Sequence, residues 1–202
     1  RLIDGEGIPT RPMTLIERLQ RLNDIGIALS AERDPVRLVE QILSGAKHLA
    51  QADAGTIYQV SEDGRSLTFQ IIRNDTLRLN MGGSSGLAIT FPPVPLYRPD
   101  GEPNHSSVVA HCVLTGETVN IADAYRAEGF DFTGTRAFDE RSGYRSTSFL
   151  TVPMRNHEHE IIGVLQLINA KDDAGKVVPF SAADQKLAET LARQAATALT
   201  KH

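Results

Sequence analysis

The sequence predicts an α+β fold, in which an antiparallel sheet is combined with helices from both ends of the chain. Two observations lead to this prediction. Apolar residues recur at three- and four-residue steps near both ends of the chain, which is the spacing of amphipathic helices. Between these regions, two pairs of apolar segments each enclose a short polar turn, which predicts antiparallel hairpins. Hairpins with helices at both ends are typical of the α+β class.

The start of the chain predicts a tail and two helices. Residues 1–12 contain two glycines and two prolines and are expected to form a tail or linker. The helix predicted over 13–33 has an apolar stripe narrow enough to pack on one partner helix, so it is expected to be a linker or dimer helix. The domain itself is expected to span 34–202, beginning with a second helix that Asp34 caps. The stripe of the first helix consists of Leu15, Leu19, Leu22, Ile25 and Leu29.

Strands and an irregular insert follow. The segments 55–60 and 66–73 are predicted to pair around the turn SEDGR. Residues 74–107 are predicted to be an irregular insert, which includes the proline-rich stretch FPPVPLYRPDGEPN. An insert of this length inside a compact domain is usually functional or partly disordered. A helix over 107–117 and a short strand over 118–121 are predicted next.

The last part of the chain predicts a second hairpin and a closing helix. Residues 122–146 are expected to form turns and a short helix, and the segments 147–154 and 160–169 a hairpin. Ser181 is predicted to cap the closing helix, with Asp184 as an acidic residue in its first turn. The apolar stripe of this helix consists of Leu187, Leu191, Ala195 and Ala198.

Composition narrows the classes of protein and partner. The chain has 202 residues with a net charge of −4 and no basic block, so a nucleic-acid partner is not expected. No apolar run is long enough to span a bilayer, so no membrane partner is expected. The single cysteine, Cys112, excludes an internal disulfide and favours the cytoplasm. The first residue is not Met, and the chain ends in a helical pattern. We therefore expect a piece of a longer protein, with an output domain in the same chain.

Gln166 interrupts the most apolar strand of the sequence, GVLQLIN. Strand alternation places Gln166 on one face with Ile162, Val164 and Ile168. One amide among aliphatic residues is typical of a small-molecule pocket wall. The alternative is a buried amide that bonds to the backbone of a neighbouring loop.

Three segments in order, SVVAHCVLTGETVNIADAY, FDERSGYRSTSFLTVPM and EIIGVLQLIN, resemble the GAF domains of cyclic-nucleotide phosphodiesterases and bacterial signalling proteins. In the bacterial proteins, such domains lie upstream of HD-GYP, cyclase or kinase outputs. The resemblance covers roughly 34–199. It implies a six-stranded antiparallel sheet with helices on one face and a ligand pocket, roofed by short helices and loops, on the other.

The resemblance also implies ligand contacts, with cAMP or cGMP as the regulatory ligand. It places two apolar residues of a helix against the purine, one aromatic residue of the roof on the base, and an acidic residue and hydroxyls around Gly143-Tyr144-Arg145. Gln166 stands where relatives carry a Glu that contacts the base, and Glu and Gln offer different donors and acceptors. The implied contact residues are Val108, Val109, Phe130 or Phe132, Asp139, Ser142, Ser146 and Gln166.

A second set of residues matches the Asn-Lys, Phe, Asp-Glu signature of this family, although Ala170 separates Asn from Lys and Gln185 replaces the final Glu. We expect these residues to couple the pocket to the closing helix, through an exposed ion pair between Lys171 and Asp184 that contributes about 0–1 kcal/mol. The signature residues are Asn169, Lys171, Phe180 and Asp184.

Neither a catalytic site nor a metal site is predicted. Cys112 follows His111, whereas bilin-binding relatives have the reverse order, so Cys112 is interpreted as a small buried hydrophobe. Haem ligation by His105 or His111 lacks supporting residues. A redox enzyme would need a resolving cysteine beside Cys112, and the chain has none.

Two polar segments leave alternatives open. His157 and His159 would share a face of a strand and bind a metal, but a solvated turn is favoured. The segment MGGSSG lacks the Lys-Ser/Thr of a nucleotide-hydrolase loop, so a hinge is favoured over an anion site.

The sequence thus predicts a regulatory sensor domain of a larger cytoplasmic signalling protein. Ligand binding would order the segment 122–146, and the change would pass through residues 169–184 to the closing helix. The terminal helices are expected to form a parallel homodimer bundle. The alternative is a ligandless GAF module whose role is dimerisation or interaction.

Overall fold

The structure, a computed structural model, describes residues 13–84 and 86–201. The tail predicted over 1–12 lies outside the described residues. Within the described part the fold is α+β, as predicted, and no helix there is long and apolar enough to cross a membrane. The helices are α1 (Leu15–Ala31), α2 (Pro35–Ala50), α3 (Val108–Thr115), α4 (Thr133–Ser142) and α5 (Ala182–Thr200).

The strands form one antiparallel sheet, which contains both predicted hairpins. Strands β1 and β7 pair at the centre, and the order β3-β2-β1-β7-β6-β5 gives the expected six-stranded path. Two short strands lie off this path, β4 beside β2 and β8 beside β7. The strands are β1 (Ala52–Val60), β2 (Ser66–Asn74), β3 (Leu79–Gly82), β4 (Val94–Pro95), β5 (Val119–Ile121), β6 (Phe149–Arg155), β7 (Ile161–Lys171) and β8 (Val177–Val178).

Three helices cover one face of the sheet, and this layer contains the main core. Leucines of β7 meet α2 and α5 there, and alanines of α5 let that helix approach the sheet closely, while α1 packs on α2 and α5. The opposite face carries α3, α4 and two smaller apolar clusters. The main core includes Leu38, Ile42, Leu43, Leu165, Leu167 and Leu191, all fully buried.

Most residues of the predicted apolar stripes pack within the domain, so only the exposed residues of α1 remain available for the predicted dimer bundle. Leu22 and Leu29 of α1 are buried in the main core, and the whole predicted stripe of α5 is buried there as well. The α5 residues pack on the sheet, and those of α1 pack on α2 and α5, because a helix layer must first cover the apolar face of its own sheet. The exposed apolar residues of α1 are Leu15, Ile16, Leu19 and Ile27.

Ile162 lies on the helix side of the sheet, so its predicted place beside Gln166 is wrong. The pairing of β6 with β7 shifts register between Met154 and Arg155, opposite the start of β7. Ile162 therefore packs against the main core, while Val164 keeps the predicted face. A bulge of this kind displaces a side chain that strict alternation would place on the other face.

Candidate functional site

A cavity of about 500 Å³ lies on the face of the sheet opposite the main core. Strands β1, β2 and β7 form its floor, α4 forms one wall, and the proline-rich segment 91–95 of the insert forms another. The strand β4 holds this segment beside β2. The insert therefore contributes directly to the candidate site. The polar residues of the lining are Thr56, Arg73, Asn74, Thr135, Arg141, Tyr144, Ser146 and Gln166.

Gln166 lies on the floor of the cavity, as the pocket interpretation requires. Its two cross-strand neighbours are Thr56 on β1 and Thr151 on β6, so three polar side chains cross the apolar sheet in one row. The Nε2 of Gln166 donates to Thr151 Oγ1 at 3.0 Å. The oxygen of the same side-chain amide, Oε1, accepts no hydrogen bond from the described residues. This oxygen is therefore available to accept from a ligand.

Asp139, on α4, is buried and committed to the local structure. Its carboxylate accepts from Ser146 at the amide (2.9 Å) and at Oγ (2.8 Å), and from the Tyr125 hydroxyl at 2.5 Å. The hydrogen bond to Asp139 raises the pKa of Tyr125. The Arg145 guanidinium lies 3.9 Å from the Tyr125 ring centroid. Residues 122–146, which include α4, form the roof of the cavity. Asp139 thus connects α4 and Tyr125 of this roof to Ser146, shortly before β6 begins.

Of the implied contact residues, Ser146 and Gln166 line the cavity and the others lie behind its walls or beside it. Ser142 donates to Phe138 O at 2.7 Å, within α4. Phe132 packs on Phe149, a wall residue, with ring centroids 5.5 Å apart. The remaining members of the set belong to the two small apolar clusters and support α3 and the roof, namely Val108, Val109 and Phe130.

Lys171 pairs with Asp53 and not with Asp184, so the predicted ion pair is wrong. Asp53 is 2% exposed and also accepts from the Tyr144 hydroxyl at 2.7 Å. Burial alone would raise the pKa of Asp53, but the hydrogen bonds from Lys171, Tyr144 and Thr76 and the charge of Lys171 outweigh it and lower that pKa. A carboxylate this buried needs a cation, which explains the choice of partner.

Asp184 has a different role, at the junction of three helices. It forms a capping box with Ser181 at the start of α5. Arg18 of α1 reaches Asp184 Oδ1 at 2.5 Å and the carbonyl oxygen of Leu49, at the end of α2, at 2.5 and 2.9 Å. One guanidinium therefore joins α1, α2 and α5, a contact that the sequence pattern did not indicate.

Asn169 and Phe180 connect the sheet to α5. Asn169 has a left-handed backbone (φ 62°), and its side chain bonds to the amide groups of Thr147 and Ser148 and to the Arg145 carbonyl oxygen. Phe180 is buried in the main core. The signature residues therefore surround the segment between the roof and the first turn of α5.

Ser84, in the MGGSSG segment, binds the side-chain carboxylate of Glu40 on α2. The amide and hydroxyl of Ser84 donate to Glu40 Oε1 at 2.5 and 2.8 Å, and these bonds lower the pKa of Glu40. Gly83 has φ 79°, a left-handed backbone conformation that favours glycine. The loop is thereby attached to α2.

Cys112 is fully buried, and its thiol contacts the Thr151 carbonyl oxygen at 3.8 Å. Burial raises its pKa to about 12, so it is a protonated, small apolar residue, as interpreted from the sequence. His157 is exposed in the turn between β6 and β7. Within residues 13–84 and 86–201 no group of three or more His, Cys, Asp or Glu could hold a metal ion.

A larger groove, of about 660 Å³, lies between the start of α2, the end of α5 and the β6–β7 turn. Glu158 and Glu160 stand among its lining residues. These carboxylates would repel a phosphate group, so the cavity above Gln166 is the better candidate for an anionic ligand.

Comparison with known proteins identifies the family of this fold. The sequence model of the GAF domain matches residues 34–199. The chain is 41% identical over 85 residues to a dual 3',5'-cyclic-AMP and -GMP phosphodiesterase 11A of Takifugu rubripes. The aligned region is 42% of this chain and 8% of that protein. The chain is 28% identical over 148 residues to a dual phosphodiesterase 11 of Drosophila melanogaster, which is 73% of this chain and again 8% of the relative.

A solved structure shows the same fold. The GAF domain of an Acinetobacter phosphoenolpyruvate-protein phosphotransferase superposes with a TM-score of 0.65 at 17% identity, covering 94% of this chain and 96% of that one.

Proposed function

Because this chain belongs to the GAF domain family, we propose that it is a regulatory domain whose cavity above Gln166 binds a small ligand, with a cyclic nucleotide as the leading candidate. The observation that supports this most directly is the position of Gln166 on the cavity floor beside Thr56, with its Oε1 accepting no hydrogen bond from the described residues. A cavity of about 500 Å³ with apolar walls and a few converging polar groups has the usual size and chemistry of a small-molecule site.

A cyclic nucleotide combines a flat heteroaromatic base with a negative charge. The side-chain oxygen Oε1 of Gln166 can accept a hydrogen bond from an N–H group of a base. The relatives named above are phosphodiesterases of cyclic AMP and cyclic GMP, which favours these two nucleotides. This chain spans only 8% of those proteins, so the resemblance concerns a regulatory segment and not their catalytic activity.

Ligand binding changes the output through the residues that join the roof to α5. Tyr144 lines the cavity and donates to Asp53 on β1. Asp53 in turn pairs with Lys171, the last residue of β7. A ligand that binds one arrangement of the roof better than another shifts this network, and with it the start of α5. The domain then passes this state through its terminal helices to an output domain of a larger cytoplasmic protein.

A second function, dimerisation without a ligand, is favoured by one observation. Ile16, Leu19 and Ile27 of α1 are between 50 and 69% exposed and follow a helical stripe. Such an unpaired stripe on a terminal helix suits a parallel helix pair with a second copy. The two functions are compatible, because this stripe and the cavity lie on different sides of the sheet.

Isothermal titration calorimetry with cyclic AMP and cyclic GMP tests the ligand-binding proposal. We expect one site per chain, and Gln166→Ala is expected to weaken binding about tenfold, because it removes a hydrogen-bond acceptor. Gln59→Ala is the matched control, since Gln59 is an exposed glutamine of β1 outside this cavity. An absence of binding heat with both nucleotides at millimolar concentration would remove the nucleotide from the proposal and favour the ligandless module.

A further inference from the structure

Two arginines line the cavity, Arg73 and the exposed Arg141, and only Arg73 is already paired. Arg73 donates to the carbonyl oxygens of Met81 at 3.0 Å and Gly82 at 3.3 Å, and it lies 3.8 Å from the Glu40 carboxylate. Arg141, in the last turn of α4, forms no hydrogen bond or ion pair with the described residues. An unpaired guanidinium beside an apolar cavity is suited to bind an anion.

No carboxylate competes for Arg141 inside the cavity. Among the described residues that line it, none is Asp or Glu. Two carboxylates lie behind the lining, and both are already bound: Asp53 by Lys171 and Asp139 by the hydroxyl groups of Tyr125 and Ser146. The positive charge of Arg141 is therefore the main uncompensated charge of the site.

Aromatic side chains are concentrated in the lining of this cavity. The chain has eleven Phe and Tyr residues and no Trp, and six of the eleven line this one cavity. The ring centroids of Phe69 and Phe91 lie 5.4 Å apart, and those of Tyr58 and Phe69 4.6 Å apart. Such a concentration of rings favours a flat ligand that stacks on them. The six residues are Tyr58, Phe69, Phe91, Phe138, Tyr144 and Phe149.

From these observations we infer that the cavity takes a planar aromatic anion and that Arg141 binds its anionic group. This inference deepens the proposed function and rests on it, because it concerns the same cavity. The phosphate of a cyclic nucleotide and the carboxylate of an aromatic acid are two sources of this chemistry. Arg141 makes the site prefer a charged aromatic molecule over a neutral one of the same shape.

Two fluorescent probes that differ by one charged group test this. 1-Anilinonaphthalene-8-sulfonate is an aromatic anion with a flat naphthalene ring system, and N-phenyl-1-naphthylamine has the same rings without the sulfonate. Both are titrated into the wild-type chain, Arg141→Gln and Arg136→Gln. Arg136 is the matched control, because it lies on the same helix but over the Tyr125 ring, 5.6 Å from the centroid, and outside the cavity lining.

We expect Arg141→Gln to weaken binding of the sulfonate probe about tenfold, the loss of one charge-assisted contact, and to leave the neutral probe unchanged. Arg136→Gln should bind both probes as the wild type does. Equal affinity of wild type and Arg141→Gln for the sulfonate probe would overturn the inference. An equal loss in the Arg136→Gln control would overturn it too, since the effect would then reflect net charge alone.

Displacement of the bound sulfonate probe separates the two sources. Displacement by cyclic AMP or cyclic GMP supports the inference with a phosphate ligand. Displacement by 2-naphthoate and by neither nucleotide supports it with a carboxylate ligand, and the nucleotide part of the proposed function then fails while the role of Arg141 stands.

Discussion

Asp53 illustrates how single residues connect the cavity to the rest of the fold. Its carboxylate is almost completely buried, yet it keeps a lowered pKa because Lys171, Tyr144 and Thr76 bind it. Tyr144 is at the same time a wall residue of the cavity. A change in the position of Tyr144 on ligand binding would therefore change the environment of a buried charge, and this charge is attached to the end of β7 through Lys171.

The lowered pKa of Asp53 predicts a specific pH dependence of stability. A carboxyl group whose folded pKa is depressed contributes stability above its unfolded pKa of about 3.9, and this contribution is lost as the pH falls through the folded value. Asp53→Asn should therefore lower the free energy of unfolding at pH 7 by about 1–3 kcal/mol, and the difference from wild type should shrink toward about pH 3. Urea unfolding at several pH values measures this.

Asp100→Asn is the control, because the Asp100 carboxylate is exposed. We expect this variant to have the same free energy of unfolding as the wild type at each pH. A difference between wild type and Asp53→Asn that stays constant from pH 7 to about pH 3 would contradict the assigned role of Asp53.

Some site residues were predictable from sequence and others were not. Gln166 stood out because an amide inside an apolar strand requires a partner, and strand alternation then fixed its face. The partner of Lys171 was not predictable, because Asp53 comes close to Lys171 only after β1 has paired with β7. Arg141 gave no local signal, since one arginine in a polar helix resembles any solvated residue.

Among the helices, the contact of Arg18 with Asp184 and with the Leu49 carbonyl oxygen joins α1, α2 and α5 within an apolar layer. Arg18 and Asp184 have side chains only 14% and 12% exposed, so their ion pair is shielded from solvent. Because Asp184 also caps α5, this contact connects the start of α5 to the neighbouring helices. We infer from this geometry that α5 cannot shift along its axis without breaking it.

A double-mutant cycle with Arg18→Met and Asp184→Asn measures the strength of this contact. We expect a coupling energy of about 1–3 kcal/mol in the free energy of unfolding, because the pair is partly buried and shares hydrogen bonds with Leu49 and Ser181. Additive effects of the two substitutions would show that the pair does not connect the helices.

Element boundaries were predictable where caps mark them. Thr14, Asp34, Ser107 and Ser181 each accept a backbone hydrogen bond at a helix start, and this is a local sequence signal. The strands β4 and β8 have two residues each, too few to show any alternation. They form because longer neighbours offer free edges, so only the folded sheet defines them.

At the scale of the whole molecule, the exposed stripe of α1 predicts self-association. A wild-type dimer is expected, because unpaired apolar side chains on a helix favour pairing with a second copy. Placing charges on this stripe with Ile16→Glu and Ile27→Glu should give a monomer. Light scattering coupled to size-exclusion chromatography measures the mass directly.

The matched control is Val36→Glu, at a 45% exposed apolar residue of α2 outside the stripe, which should remain dimeric. A wild-type mass equal to 22.0 kDa at high concentration would contradict the dimer.

The central claim is that a cyclic nucleotide binds in the cavity between the sheet, α4 and the proline-rich segment. Hydrogen–deuterium exchange with and without saturating cyclic AMP or cyclic GMP tests it most directly. We expect slower exchange in peptides that span α4 and residues 86–97, with no change at the β6–β7 turn beside the larger groove. Unchanged exchange at α4 and the insert with both nucleotides, or protection confined to that turn, would contradict it.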